Sequence, residues 1–280
     1  MNAASKTSIG IGLALFLATP LHLRAENELT ALAERTNPAV LLLTVEDPTG
    51  NKLGTGTGFV VSKDGRVVTN HHVIESASAI VATSSDGSKH KILGTVADDA
   101  ENDIAILQME DQGLPALTLG DSSKVKAGDE VVVIGSPMGL SGTLTVGIVS
   151  AIRPKGVPTD DDDKPDAKVR SWGIQISAAI SPGSSGSPIM KRDGEVVAVA
   201  VGTLVGQAQN LNFGVPIEVA KGMLDKLGPN APVKSFAVTA KSDLSKNLLI
   251  SAGVIGGMIA VFFLWGWIDN RRGKKRSRAR

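Results

Sequence analysis

The 280-residue chain contains no cysteine, no tyrosine and only four histidines, and aromatic residues make up 3% of it. Without cysteine no disulfide staples the fold, although export from the cytoplasm remains open. With no cysteine or third histidine near the His71–His72 pair, the sequence offers no metal centre, and it calls for no cofactor. Charge of one sign is also lacking: the formal net charge is +1. The basic residues are unevenly spread, since the last ten residues, RRGKKRSRAR, carry seven Lys/Arg and no acid. Residues 26–268 hold 20 basic against 27 acidic side chains. A mildly acidic body excludes a nucleic-acid-binding domain, whose basic charge lies over a folded face. No repeat of 20–50 residues occurs, so solenoid and propeller architectures are excluded as well.

Apolar residues make up 42% of the chain, enough for one large all-β domain or two ordinary ones. Leu248–Ile268, LLISAGVIGGMIAVFFLWGWI, is 21 residues without a charge. As a helix it spans about 31 Å, one hydrocarbon thickness. Trp265 and Trp267 stand where an aromatic belt belongs, and the basic tail, residues 269–280, follows. The expectation is a transmembrane helix at 248–268 with its tail in the cytoplasm. A buried core helix is the alternative, but one of this length normally shows a polar face. GVIGG, Gly253 to Gly257, is a GxxxG step that could pair helices in a bilayer. Residues 1–25 have the layout of a signal peptide or signal anchor: Lys6, an apolar run from Ile9 to Leu17, and a small residue at Ala25. The body, residues 26–230, would then lie in the periplasm or another extracytoplasmic space, joined to the membrane by a linker at 231–247.

Within the body, strand patterns dominate. Val40–Val45, Gly58–Val61, Val67–Thr69, Ala79–Ala82, Ile104–Met109, Glu130–Ile134, Thr143–Ile152, Val169–Ile176 and Glu195–Val201 are short, rich in β-branched residues and separated by turn signals such as KDG, SDG and RDG. That spacing predicts an antiparallel sandwich or a pair of barrels. A short helix is expected at residues 27–39, and PIEVAKGMLDKLG, 216–228, reads as an amphipathic helix stopped by Gly228. VPTDDDDKPDAK, 157–168, reads as a solvated acidic loop, with a cation or partner site the weaker alternative. GTGTG, 54–58, resembles a phosphate loop only superficially. It leads into a strand rather than a helix, so its expected role is close packing before the histidines.

Three stretches carry chemistry. A serine hydroxyl becomes a nucleophile only beside a histidine base, the histidine needs a carboxylate to fix its tautomer, and backbone N–H groups must meet the oxyanion. GRVVTNHHVI, 65–74, delivers two histidines from the end of a β-rich run. AENDIAILQM, 100–109, places Asp103 directly before an apolar strand. ISPGSSGSPIM, 180–190, brackets two serines between Gly183 and Gly186, so its backbone can bend and turn its N–H groups towards one point. Each has a plainer reading alone: a loop or metal-ligand fragment, an Asx turn, and a tight turn respectively. Together, in the order His, Asp, Ser, they match the chymotrypsin-type triad order; an α/β-hydrolase would need Ser before His and a G-x-S-x-G elbow.

Five segments in register resemble the HtrA/DegP group of trypsin-like serine proteases: GTGFVVSKDGRVVTNHHVI, ENDIAIL, VIGSPMGLSGTLTVGIVSAI, IQISAAISPGSSGSPI and LNFGVPIEVA. The resemblance covers about residues 30–228. It implies an all-β, chymotrypsin/trypsin-like double β-barrel with a C-terminal helix, and a triad in the cleft between barrels. By the family's motifs His72 would be the base, Asp103 its partner and Ser185 the nucleophile, with an oxyanion hole from Gly183, Ser184 and Ser185. Ala179, Asn212 and Phe213 would line the specificity pocket. With Ala179 where cleavage after Arg or Lys needs an acid, the implied cut follows small or medium apolar residues. The implied function is endoproteolysis of exported, unfolded or misassembled proteins, with protein or peptide partners and the bilayer as anchor.

The chain departs from the pattern in four ways. Ser184 and Ser187 replace the family's Asn and second Gly. No PDZ domain follows the protease region in this sequence, and the aromatic N-terminal segment associated with trimers is lacking, so a homo-oligomer has no support in the sequence. Two alternatives stay open: a catalytically latent, protease-like binding module at the membrane, and an esterase using the same triad.

Overall fold

The structure, a computed structural model, describes residues 21–153, 173–203 and 211–236. The expected leader up to residue 20, the acidic loop 157–168, the apolar segment 248–268 and the basic tail lie outside these residues. No helix among the described residues is long and apolar enough to cross a membrane.

Twelve strands form two closed six-stranded antiparallel barrels. The first holds β1 (Val40–Glu46), β2 (Lys52–Val60), β3 (Arg66–Thr69), β4 (Ala79–Thr83), β5 (Lys89–Asp99) and β6 (Ile104–Met109), in the order β1-β2-β3-β6-β5-β4. The second holds β7 (Glu130–Gly135), β8 (Thr143–Ile152), β9 (Ile174–Ile176), β10 (Pro188–Met190), β11 (Val196–Thr203) and β12 (Asn212–Pro216), in the order β10-β11-β12-β9-β8-β7. Closure leaves no sheet edge unpaired around either ring, the usual solution to the edge-strand problem. The β-branched and leucine side chains that marked the strands are the ones that fill the interior: Val67, Val68, Ile104, Ile106, Leu107, Val131, Val132 and Val149 are all fully buried.

Three strands lacked a sequence signal. β5 carries charged residues at exposed positions and a register shift around Gly94 that breaks its alternation. β10 is three residues opened by Pro188, and β12 contains Gly214 and closes on Pro216. Each is completed by its neighbours' hydrogen bonds rather than by its own propensity. The GTGTG segment lies inside β2, where a Cβ on Gly56 would meet Val73 Cγ1 at 2.5 Å and one on Gly58 would meet Val67 at 2.8 Å. The glycines allow the His-bearing segment to pack directly on the β2 backbone.

Three helices frame the barrels: α1 (Leu21–Thr36), α2 (His71–Ile74) and α3 (Ile217–Lys226). α1 begins before the expected boundary at residue 25 and docks through Leu32, buried in the core, and through Arg35, whose guanidinium donates to Asp193 O at 2.9 Å. After α3, Gly228 O accepts from the Arg66 guanidinium at 2.7 Å. Residues 231–236 were expected to begin a linker. They instead return to the first barrel, where Thr95 and Lys234 exchange both backbone hydrogen bonds at 2.9 and 2.8 Å. Gly94, at φ +155°, leaves room for that approach, since a Cβ there would run into Lys234 O.

Two exposed turns set part of the acid behaviour. Asp47 is held down to about 2 by the Thr49 hydroxyl and then the Asn51 backbone N–H. Asp121 is held down to about 2 by the Ser123 hydroxyl and then Lys124. A lowered carboxylate pKa stabilises the fold above the ordinary value, and this contribution is lost as pH falls through about 2. The double variant Asp47→Asn/Asp121→Asn should therefore melt below wild type at pH 6, with the gap closing as pH approaches 2. A gap independent of pH would refute the assignment.

Candidate active site

β3 is buried along its whole length and stops at Thr69, so the chain leaves the first barrel in a fixed direction. Asn70 is extended (φ −85°, ψ 152°), and the single turn of α2 then carries His72. The carboxylate arrives from the turn between β5 and β6. Asp103 sits at φ +57°, in the left-handed region that costs a side-chain-bearing residue of order 1 kcal/mol. Asn70 Nδ2 donates to Asp103 O at 2.9 Å and holds this conformation.

The turned Asp103 carboxylate is almost wholly covered, with 9% of the side chain exposed against 41% for His72. Its Oδ1 accepts the His72 backbone N–H at 2.9 Å, and His72 Nδ1 lies 2.8 Å from Oδ2 and 3.0 Å from Oδ1. An ionised carboxylate only accepts, so the ring proton belongs on Nδ1 and the lone pair on Nε2. Nε2 has no hydrogen-bond partner among the described residues. The pair is thus a base with its tautomer set by a covered acid.

The stretch 180–190 comes from the second barrel and forms two successive turns with Gly183 at φ +96° and Gly186 at φ +87°. Pro182 O accepts from Met138 N at 2.9 Å, and Ser184 O accepts from Ser187 N at 3.0 Å. A trans peptide points its N–H opposite to its carbonyl, so the two tied carbonyls turn the N–H groups of Gly183 and Ser185 away from those partners. Neither N–H has a partner among the described residues. The Ser185 hydroxyl donates to Val201 O at 2.9 Å, and no hydrogen bond to His72 occurs in this state.

A base oriented by a buried acid and a serine flanked by two unused N–H groups, set on two six-stranded barrels, leave few families to consider. The trypsin-like peptidase domain matches residues 56–199, more than half of the chain. The chain belongs to that family. Among relatives, the chain is 35% identical to the serine protease HhoB of Synechocystis sp. over 76% of its own length and 51% of the relative's. It is 40% identical to a DegP-like periplasmic serine endoprotease of Halomonas elongata, over 61% of its own length and 35% of that protein's. The chain thus spans from about a third to about half the length of these relatives. The HtrA-type protease AlgW, solved with a tripeptide, superposes with TM-score 0.60 at 28% identity, covering 70% of this chain and 62% of that one. A serine endoprotease from Yersinia pestis superposes with TM-score 0.59 at 25% identity, covering 70% and 65%.

The remaining sequence-derived residues of the trypsin-like domain fall in different places. Ser184 is buried and its N–H is used, donating to Ser181 O at 2.9 Å. It therefore has none to give an oxyanion, which corrects its inclusion beside Gly183 and Ser185. Ser187 is not among the residues at positive φ, so replacing glycine there adds no backbone strain; the left-handed position is Gly186. Ala179 is exposed, with its carbonyl accepting from Thr145 Oγ1 at 3.1 Å. Asn212 is buried and donates from Nδ2 to Ala178 O at 2.7 Å. Phe213, 1% exposed, packs in the core and presents no open pocket wall in this state.

Sequence reasoning singled out neither Asn70 nor Thr57, because their roles depend on partners 33 and 126 positions away. It also missed a second Ser-His-Asp constellation: Ser84 Oγ lies 3.0 Å from His90 Nε2, and His90 Nδ1 lies 2.9 Å from Asp111 Oδ2. Ser84 is buried at 5% exposure, and its hydroxyl also faces Asp86 Oδ1 at 2.7 Å and Ser88 O at 3.2 Å. With Ser84 buried and a carboxylate competing for its only proton, this set serves as a clip for the β4–β5 hairpin.

Proposed function

We propose that this protein is an HtrA/DegP-type serine endopeptidase acting on exported, unfolded or misassembled proteins outside the cytoplasm, held at the membrane by residues 248–268. Ser185 Oγ attacks the scissile carbonyl while His72 Nε2 takes its proton. The oxyanion forms against the N–H groups of Gly183 and Ser185, and His72 then protonates the leaving amine. Water hydrolyses the acyl-enzyme by the reverse proton path. Asp103 holds His72 and stabilises its charged form. The observation that carries this reading is the pairing of the His72–Asp103 couple with two free N–H groups beside one serine.

Val201 supports an extended peptide as substrate. It occupies a register shift in β11, between the Ala200–Gly214 and Gly202–Phe213 pairs, so its carbonyl is not spent on the β11–β12 ladder and becomes available to a peptide N–H once the Ser185 hydroxyl turns away. An extended peptide backbone can hydrogen-bond to that carbonyl, which favours protein over small esters. The cut is proposed to follow small or medium apolar residues, because Ala179 supplies no acid.

One observation favours the latent binding module as a second reading: the Ser185 hydroxyl rests on Val201 O rather than on His72. Rotation about χ1 moves a serine hydroxyl between staggered wells, so attack needs only a different well. Labelling by a fluorophosphonate, with casein and peptide-library digestion, separates the readings. Wild type is expected to label and cleave, and Ser185→Ala to do neither. Absence of Ser185-dependent label and cleavage, with the protein folded, would establish the latent module; cleavage mainly after Arg or Lys would overturn the specificity.

A further inference from the structure

Thr57 is a fully buried residue of β2 in the first barrel, yet its polar atoms serve the second. Its N–H donates to Ser185 O at 2.8 Å. Its hydroxyl donates to Gly183 O at 2.8 Å and accepts the Ser136 N–H at 3.0 Å. Its carbonyl accepts the hydroxyl of Thr69, the residue before Asn70, at 2.7 Å. One residue therefore touches the carbonyls on both oxyanion-hole residues, the backbone wall behind them and the segment that carries the base.

The consequence lies in Gly183. A glycine at φ +96° has no Cβ to select one orientation for its peptide planes. The plane before it is set by Met138 N on Pro182 O, and the plane after it by Thr57 Oγ1 on Gly183 O. The wall is tight: a Cβ on Gly183 would meet Ser136 O at 2.7 Å. The N–H of that same Ser136 is held by Thr57. Without the hydroxyl, both Gly183 O and Ser136 N–H lose a buried partner, and rotation of the Gly183 peptides to recover one carries the oxyanion donor out of line.

We infer that Thr57 is a positioning residue: its hydroxyl locks the peptide that follows Gly183 in the second barrel, and by fixing Gly183 from that side keeps its oxyanion N–H in line, registered to the His72 segment of the first barrel. The inference rests on the proposed Ser185 mechanism. It places the control of transition-state stabilisation in a residue that never meets the substrate.

The test is steady-state kinetics on a peptide substrate with Thr57→Val, which keeps the side-chain shape, and Thr57→Ser, which keeps the hydroxyl. Binding of a peptidyl aldehyde is measured beside them. Thr57→Val is expected to lower kcat roughly 10- to 100-fold, less than the roughly 100- to 1,000-fold cost of removing an oxyanion donor because the donor is misaligned rather than lost, with KM within about twofold. Affinity for the aldehyde should fall in parallel with kcat, the shape of the pH–rate profile should be unchanged because the base is untouched, and Thr57→Ser should recover most of the rate. If wild type neither turns over nor labels at Ser185, the mechanism fails and this role with it. If wild type is active and Thr57→Val matches it, the positioning role alone is overturned. The role is likewise overturned if kcat, KM and melting temperature all worsen while aldehyde affinity stays constant, or if Thr57→Ser fails to recover the rate.

Discussion

Asp103→Asn is expected to lower kcat by about four orders of magnitude while the protein stays folded, as this exchange does in trypsin-type triads. The carboxylate accepts two kinds of N–H from His72, one from the backbone and one from Nδ1. An amide has one accepting oxygen. If that oxygen keeps the backbone bond to His72, the NH2 group faces Nδ1 and selects the tautomer with the proton on Nε2. The base is then capped at the atom that must accept. After glycine, asparagine is among the residues that best tolerate φ +57°, and the Asn70 bond to the main chain at residue 103 does not involve the side chain of residue 103. Stability should therefore change little, which separates this variant from a general loss of fold. The comparison is kcat/KM against melting temperature; activity within tenfold of wild type would remove Asp103 from the triad.

Gly186→Ala is expected to be the most damaging single-methyl change in the described residues near the site. Gly186 sits at φ +87°, where an alanine pays about 1–2 kcal/mol in left-handed strain. The new Cβ would also overlap Thr57 O and come within 2.5 Å of Thr69 Oγ1. Neither neighbour can retreat freely, because Thr69 Oγ1 donates to Thr57 O and Gly186 N itself donates to Ala200 O at 2.8 Å. Overpacking adds about 1–3 kcal/mol more, for a total of about 2–5 kcal/mol and a drop in melting temperature of roughly 4–20 °C. Gly54→Ala is the control, since its Cβ meets nothing within 4 Å and its φ is not left-handed. Equal melting temperatures for the two variants would refute the account.

These residues also mark how far the sequence could be read. Glycine at 183 and 186 announced a sharp bend because a positive φ is written in the residue type. Asp103 at φ +57° was not, because aspartate is compatible with many backbones and only Asn70 and the β5–β6 turn force this one. The strands with continuous β-branched runs, such as β6 and β7, were legible from pattern alone. Those built around Gly94, Pro188 or Gly214 were not, because neighbouring strands complete them. The order His72, Asp103, Ser185 pointed to a site, but the order of residues holds no information about which hydrogen bonds the 180–190 turns make. The resting bond from Ser185 to Val201 and the use of Ser184 N–H by Ser181 were therefore invisible.

The Thr95–Lys234 pair has a mechanical meaning. A pull on the chain beyond residue 236 first loads those two hydrogen bonds on strand β5 of the first barrel. The force is then borne by a closed ring, before α3 or the second barrel feels it. Tension from that end thus enters through the first barrel rather than along the backbone of the second, which carries Ser185 and the two oxyanion N–H groups.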